Sequence, residues 1–586
     1  MTSSVPDIDP NSSFTQENFE KELKNLSAKA QGQRFFNGKK MRAQSAMLLK
    51  SIALLTFAAI YSNLSQLVLS PIYGSIPSAI DHSKVVMLAA FTGWSINLLL
   101  QRVLPMAPIK LLPCIAWYIP LIQYLLGFFT SRLGTSWGPV LTEMLTFFPL
   151  MTMSVAVVAT WLEDADTTFL PPWLGDALPG IGSYGLFKFV EDIGSKIIAR
   201  YIGEGFFMTR MGMEIWMAAT YSIIAPSKLL LFTIPAMFHL AFFNPHVMTG
   251  IAMRNIQAEY QNHKWHIIDR AESLTGYLSV IENLEHGFRV LRCDHSLLGG
   301  EWTKFPAPIV AEPIYGVFAM LEAVRLVETA EPILDRDASA LVIGLGIGTT
   351  PAAFIMHGID TTVVEIDPVV YSLASQHFHL PANHTPVVQD AATFARERVA
   401  MATTDAWKYD YIVHDVFTGG AEPVDLFTLE FIQNLSDLLK DDGVIAINYA
   451  GDLILPSPAF IVRTIQTVFP TCRIFRESAR ESDEEIKIHG RGDFANLVIF
   501  CTKVIDGELK FRPPTRDDIL LSKAREMFLV PKYEVMAEDL FGVEGDDGAI
   551  IQKNETGRLS AWHQQSAVGH WKVMRTVVPP QIWELW

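Results

Sequence analysis

A chain of 586 residues is too long for one hydrophobic core and calls for two or three folded units. Half of it is hydrophobic and only 18% is charged, an imbalance concentrated before about residue 250, so a membrane-embedded N-terminal half is expected. The formal charge of -16, with no run of Lys and Arg in the C-terminal half, argues against nucleic acid as a partner.

The tail of residues 1–45 is polar and acidic, without the apolar core or cleavage site of a signal peptide. Apolar stretches long enough to span a bilayer follow at about 46–70, 85–104, 111–130, 139–162, 205–225 and 228–244, giving a membrane domain over 46–250. Lys39, Lys40, Arg42 and Lys50 precede the first stretch, and Arg102 and Lys110 flank the second loop. Positive charge kept near span ends marks the cytoplasmic side, so the N-terminus is expected inside. Six spans return the C-terminal domain to the cytoplasm, with the organelle open between endoplasmic reticulum and plasma membrane. Near 183–202, Leu186, Val190, Ile193, Ile197 and Tyr201 recur at helical spacing and predict an amphipathic helix on the membrane interface or on the bundle. Arg210 and Glu214, four apart, are placed to pair on one helix face in an anchoring or packing role. Cys114, Cys293, Cys472 and Cys501 stand far apart with no CxxC pair, and read as reduced, mostly buried thiols.

From about residue 255 charge density rises and the periodicity changes. In 265–330, LSVIEN and FRVLRC are β-prone runs with EHG and LLGG as turns, a small antiparallel hairpin unit, and PIYGVFAMLEAVRLV is a lead-in helix. Over 331–505 strands (ALVIG, DTTVVEID, PVVQD, YDYIVHDV, GVIAINYA) alternate with helices, which predicts a mostly parallel, Rossmann-like α/β sheet with FANLVIFCTK added at its edge. The extension 506–586 opens as a linker and contains a loop, GVEGDDGAIIQKNETG. It ends in a Trp-rich segment expected to pack on the catalytic domain or the membrane surface.

Ligands of such sheets sit at the carboxyl ends of the strands. There Gly344, Gly346 and Gly348 in VIGLGIGTT leave room for a tight turn and a close ligand beside a helix N-terminus, a pattern that suits a dinucleotide or a nucleoside. Three acids favour the nucleoside. Glu365 can accept both ribose hydroxyls, Asp390 can meet an adenine amino group, and Asp415 lies deep in the same crevice. Each taken singly also fits a turn or N-cap role.

The order VIGLGIG, VVEID, VVQDA, YDYIVHDVF and LLKDDGVIAIN resembles the polyamine aminopropyltransferases, the spermidine and spermine synthases, and in particular their membrane-fused branch, over roughly 265–505. The resemblance implies a methyltransferase-type Rossmann-like fold behind a multi-pass membrane domain. It also implies S-adenosylmethionine or its decarboxylated form as co-substrate, held by the glycines, by Glu365 and by Asp390 with Ala391. Asp415 then assists deprotonation of the attacking amine, and a homodimer through the synthase-like domain is expected. The sequence departs from that family at Ile347, where synthases carry the loop Asp that meets the free amine of decarboxylated S-adenosylmethionine, and at Thr418, which replaces a second Asp. Tyr315 stands in for an aromatic residue of the segment before the first strand. Glu312, Glu422 and Asp425 are available as substitute acids, with solvated loop roles as the alternative. A sulfonium is already a strong electrophile, so alignment and removal of one proton suffice for catalysis. No metal is expected, and His377 and His379 read as helix-end residues. The first expectation is a membrane-anchored aminopropyltransferase acting on a small amine. The alternatives are a methyltransferase using S-adenosylmethionine, which Ile347 favours, and a silent nucleoside-binding scaffold. Asn383, Asn434 and Asn554 are sequons, expected to be unglycosylated on the cytoplasmic side.

Overall fold

The computed structural model describes residues 38–586 with 20 and 23–24, apart from 166, 168–169, 307, 402–406, 418–421 and 506. Most of the N-terminal tail, and Thr418, lie outside the described residues.

Residues 38–262 form helices joined by short turns. Three, Met41–Tyr73, Ser75–Val103 and Thr130–Glu163, are long and apolar enough to cross a membrane, while Leu112–Gly127 and Lys228–Phe242 are apolar but shorter. Among the described residues, three of the six expected stretches reach that length. The fifth stretch is a helix of 15 residues, Arg210–Ile224, about 22 Å long at the α-helical rise and short of a hydrocarbon core of about 30 Å. The sixth begins as a 3-10 turn, Lys228–Thr233, before the helix Ile234–Phe242.

One cluster of buried polar groups between these helices is mutually hydrogen-bonded. Ser62 Oγ donates to Glu191 at 2.5 Å and lies 2.7 Å from His82 Nε2, whose Nδ1 is 2.5 Å from Glu143. The helix Pro172–Tyr201 therefore turns Ser183, Phe187, Glu191, Gly194 and Ile198 inward. Ile193, Ile197 and Tyr201 of the expected apolar face are exposed instead, because the partners of Glu191 fix the rotation of the helix. Nor do Arg210 and Glu214 pair. The backbone and side-chain N–H groups of Arg210 donate to Glu272, while Glu214 accepts from Gln123 at 3.1 Å.

The second part begins with an antiparallel sheet, β1 (Trp265–Glu272), β2 (Tyr277–Asn283), β3 (Phe288–Cys293) and β4 (Ser296–Trp302), in sequential order. LLGG lies within β4 and is not a turn. The reversal is made at Asp294 and His295, between the paired Cys293 and Ser296, with Asp294 in the left-handed region at φ 47°. An eight-stranded sheet follows: β5 (Ser339–Ile343), β6 (Asp360–Glu365), β7 (Thr385–Val388), β8 (Tyr409–His414), β9 (Leu439–Asp452), β10 (Thr471–Arg476), β11 (Phe494–Thr502) and β12 (Tyr533–Val535). Its order is β12-β10-β11-β9-β8-β5-β6-β7, parallel from β7 through β9 and antiparallel beyond. This is the Rossmann-like, methyltransferase-type α/β sheet. FANLVIFCTK is β11, an interior strand, because TCRIFR, unassigned in the sequence, forms β10 outside it and YEV of the extension closes the edge as β12. The β10–β11 register sets Cys472 opposite Cys501, with Cα atoms 4.2 Å apart, and the two form a disulfide. The expectation of four reduced thiols is corrected for this pair, which antiparallel pairing brings together across 29 residues of sequence.

The chain terminus locks the parts together. Trp583 and Trp586 are fully buried, and Trp586 stacks on His246 with ring centroids 4.5 Å apart. Arg292, fully buried on β3, donates to the carbonyls of Ile582 and Trp583 at the terminus and of Pro71 at the end of the first long helix. One buried guanidinium thus satisfies carbonyls that two helix ends leave unpaired.

Candidate functional site

β5 has β6 on one side and β8 on the other, so the connections leaving β5 and β8 diverge and open a crevice above their carboxyl ends. A cavity of about 240 Å³ lies there. The loop after β5 supplies Gly344, Leu345 and Gly346 to its wall. Gly344, Gly346 and Gly348 adopt φ of 88°, 54° and 85°, and the first two are also hemmed in by backbone. A Cβ on Gly344 would lie 2.0 Å from the Asp415 carbonyl, and one on Gly346 would lie 2.4 Å from the Leu298 carbonyl on β4. Glycine is required there because the loop runs between the β8 loop and the small sheet.

Glu365, the last residue of β6, is buried and accepts from the backbone N–H groups of Leu345 and Asp367, each at 3.0 Å. One oxygen is used by each bond, which orients the carboxylate and leaves lone pairs toward the cavity, while burial raises its pKa. Asp415 follows β8 and accepts from Asn448 Nδ2 of β9 at 2.7 Å. Burial pushes its carboxyl up to about 6, with the Asn448 bond pulling the other way. Asp294 also lines the wall, paired with the buried Arg210 at 3.6 Å, and among the described lining residues there is no Lys or Arg.

Of the other expected site residues, Tyr315 lines the cavity and the following do not. Asp390 is exposed and accepts from the N–H of Thr393 at 2.8 Å, capping the helix Ala391–Met401, and neither it nor Ala391 lines the cavity. Ile347 is 5% exposed and packs with Leu278, Val280 and Val370 between the glycine loop and the small sheet. Glu312 caps the helix Lys523–Phe528, accepting from the N–H groups of Lys523 and Ala524. His377 and His379 sit by Asp269 and Glu301 at a helix end, away from the cavity.

A profile described as the spermine/spermidine synthase domain matches residues 325–476. The chain is 45% identical over 555 residues to an N-terminal histidine N-methyltransferase of Emericella nidulans, covering 92% of this chain and 97% of that protein. The chain belongs to the family of that methyltransferase. Among solved structures, a probable spermidine synthase from Corynebacterium glutamicum is 16% identical, with a TM-score of 0.36, over 49% of this chain and 95% of its own. Human methyltransferase-like protein 13 is 20% identical, with a TM-score of 0.26, over 39% and 94%.

In this family member the cavity also draws on parts of the chain that the strand-end reasoning missed. Ser75, from the turn after the first long helix, and His570, Val573 and Met574, from the helix Ser560–Val577, line it. His570 lies against Phe417 and Phe494, and burial lowers its imidazole to about 3, so it is neutral. Asn448 carried a usable signal, since it ends the apolar run GVIAIN beside Asp415. Ser75 and His570 carried none, because their place depends on packing between opposite ends of the sequence.

Proposed function

We propose that the protein is an S-adenosylmethionine-dependent methyltransferase whose acceptor is a nitrogen of an N-terminal histidine of a polypeptide. The observation that carries this reading is Ile347. The loop position where a synthase offers a carboxylate to the amine of decarboxylated S-adenosylmethionine is turned into an apolar interface, which favours the intact co-substrate and leaves aminopropyl transfer the less supported reading. The full-length relationship to a histidine methyltransferase supports the same acceptor.

The residues present fit the co-substrate. Glu365 would accept from the ribose hydroxyls, the glycine loop would approach it closely, and Asp294 and Asp415 would face its positive charge. When bound, the sulfonium supplies an electrophilic methyl group. Asp415, ionised above about pH 6 and held by Asn448, accepts the proton that the acceptor nitrogen must lose. Phe417, Phe494 and neutral His570 exclude water from that end of the cavity. The test is incubation of the detergent-solubilised protein with S-adenosylmethionine and a synthetic peptide beginning with histidine, read by fragment mass spectrometry. One methyl group on the first residue is expected. Transfer of an aminopropyl group from the decarboxylated form to a small amine, without methylation, would refute the reading.

The helical part is proposed to sit in a bilayer. Its outward surface is apolar, with Phe91, Trp137, Ile223 and Leu231 each more than 70% exposed. Ser75, just past the first long helix, lines the cavity. If that helix crosses with residue 41 in the cytoplasm, the catalytic domain lies on the opposite face, where the Cys472–Cys501 disulfide also persists. Glycan on Asn383, Asn434 or Asn554 would distinguish this placement from the cytoplasmic one.

A further inference from the structure

A second cavity, of about 400 Å³, adjoins the first, and Ser75 lines both. Its wall includes Glu422, Asp425 and His563. Glu422 is only 5% exposed, yet among the described residues neither carboxylate oxygen has a hydrogen-bond partner. His563 Nε2 lies 4.0 Å from it and is itself without a hydrogen bond. A buried carboxylate left without a hydrogen bond costs free energy, which a cationic ligand reaching it would recover. A metal ion is a poor candidate, because among the described residues no three His, Cys, Asp or Glu side chains are grouped to hold one. An ammonium group is suited to the site. It is small, carries one charge and three donors, and meets a carboxylate at the wall with a second acid, Asp425, at the mouth.

Resting on the proposed acceptor, we infer that the Glu422 cavity is the docking subsite for an ammonium group of the acceptor polypeptide, one that is not itself methylated. That group is the α-ammonium if the imidazole receives the methyl, or a downstream lysine side chain if the α-amine does. Glu422 is then a positioning and specificity residue: it pairs with the acceptor's ammonium while Asp415 faces the reacting nitrogen. Burial lifts the empty Glu422 carboxyl to about 7, and a bound cation would hold it ionised.

The test uses the full-length solubilised protein with S-adenosylhomocysteine present. It measures binding of a C-terminally labelled peptide that begins with histidine and contains one lysine. Glu422→Gln is expected to weaken binding about tenfold or more. Neutralising one peptide ammonium, by acetylating the amine or by replacing lysine with norleucine, is expected to weaken wild-type binding by a similar factor and to add no further loss in Glu422→Gln. Whichever modification couples identifies the source. Unchanged affinity in Glu422→Gln, coupling to neither modification, or no peptide binding to the wild type would overturn the subsite. Glu422-dependent binding without methyl transfer would overturn the proposed function and leave the subsite standing. If Glu422→Gln fails to bind S-adenosylhomocysteine, the coupling is read in Glu422→Met, which also removes the charge, and its absence there counts equally against the proposal.

Discussion

Replacing Asp415 by Asn separates what this residue costs the fold from what it does for the reaction. Its carboxyl, ordinarily near 3.8, is moved by burial to about 6 even though Asn448 donates to it. At 1.36 kcal/mol per tenfold change in proton affinity, keeping it ionised at neutral pH costs roughly 3 kcal/mol of folding stability. The sign follows from the direction of the shift. The unfolded chain releases the proton near pH 4 and the folded one only near pH 6, so stability falls as pH rises between them and is fully restored below about 4. Asn carries no charge to desolvate and can still accept from Asn448 through its side-chain oxygen. Asp415→Asn is therefore expected to raise the thermal midpoint at pH 7.5, and the gain should shrink to below about 1 kcal/mol by pH 4. With Asp415 as the proposed proton acceptor, turnover should drop by about 100-fold or more, and the acid limb near pH 6 in the wild-type kcat/KM profile should disappear. Differential scanning fluorimetry with S-adenosylhomocysteine absent reads the first effect, and peptide methylation the second. A stability gain that does not depend on pH, or a variant that retains full activity, would refute the assignment of burial as the cause of the shift and of Asp415 as the proton acceptor.

Gly344→Ala places a methyl group 2.0 Å from the Asp415 carbonyl in a left-handed backbone conformation. A strain of at least about 1–3 kcal/mol is expected, seen as about 10- to 100-fold weaker S-adenosylhomocysteine binding by calorimetry, with turnover reduced as the β8 loop is displaced. Ile347→Asp restores the synthase-type acid but buries it among Leu278, Val280 and Val370. It should destabilise the protein by about 3 kcal/mol or more and confer no affinity for decarboxylated S-adenosylmethionine, whereas a measurable gain in that affinity would reopen the aminopropyl reading.

What could be read in the sequence was local. A strand running into glycines and then a helix is encoded within nine residues, VIGLGIGTT, and the positive φ angles of its three glycines follow from that pattern. Glu365 and Asp415 were legible for the same reason, since each marks the end of a β-run. Asp390 obeys the same rule and yet caps a helix from an exposed position, because an acid after a strand satisfies two physical demands that the sequence does not distinguish. The failures are non-local. TCRIFR carries no assignment until β11 and β12 flank it, and Cys472 has no visible partner until that register is set. Arg292 looks like an outward polar residue of FRVLRC, although it is fully buried, because the carbonyls that satisfy it come from Pro71 and from the last turn of the chain. The same long-range closure places Ser75 and His570 on the wall of one cavity. The helical half and the C-terminal extension are therefore built into the site. Cutting either away would remove part of the wall that encloses Asp415, and with it the burial that sets the proton affinity of that residue.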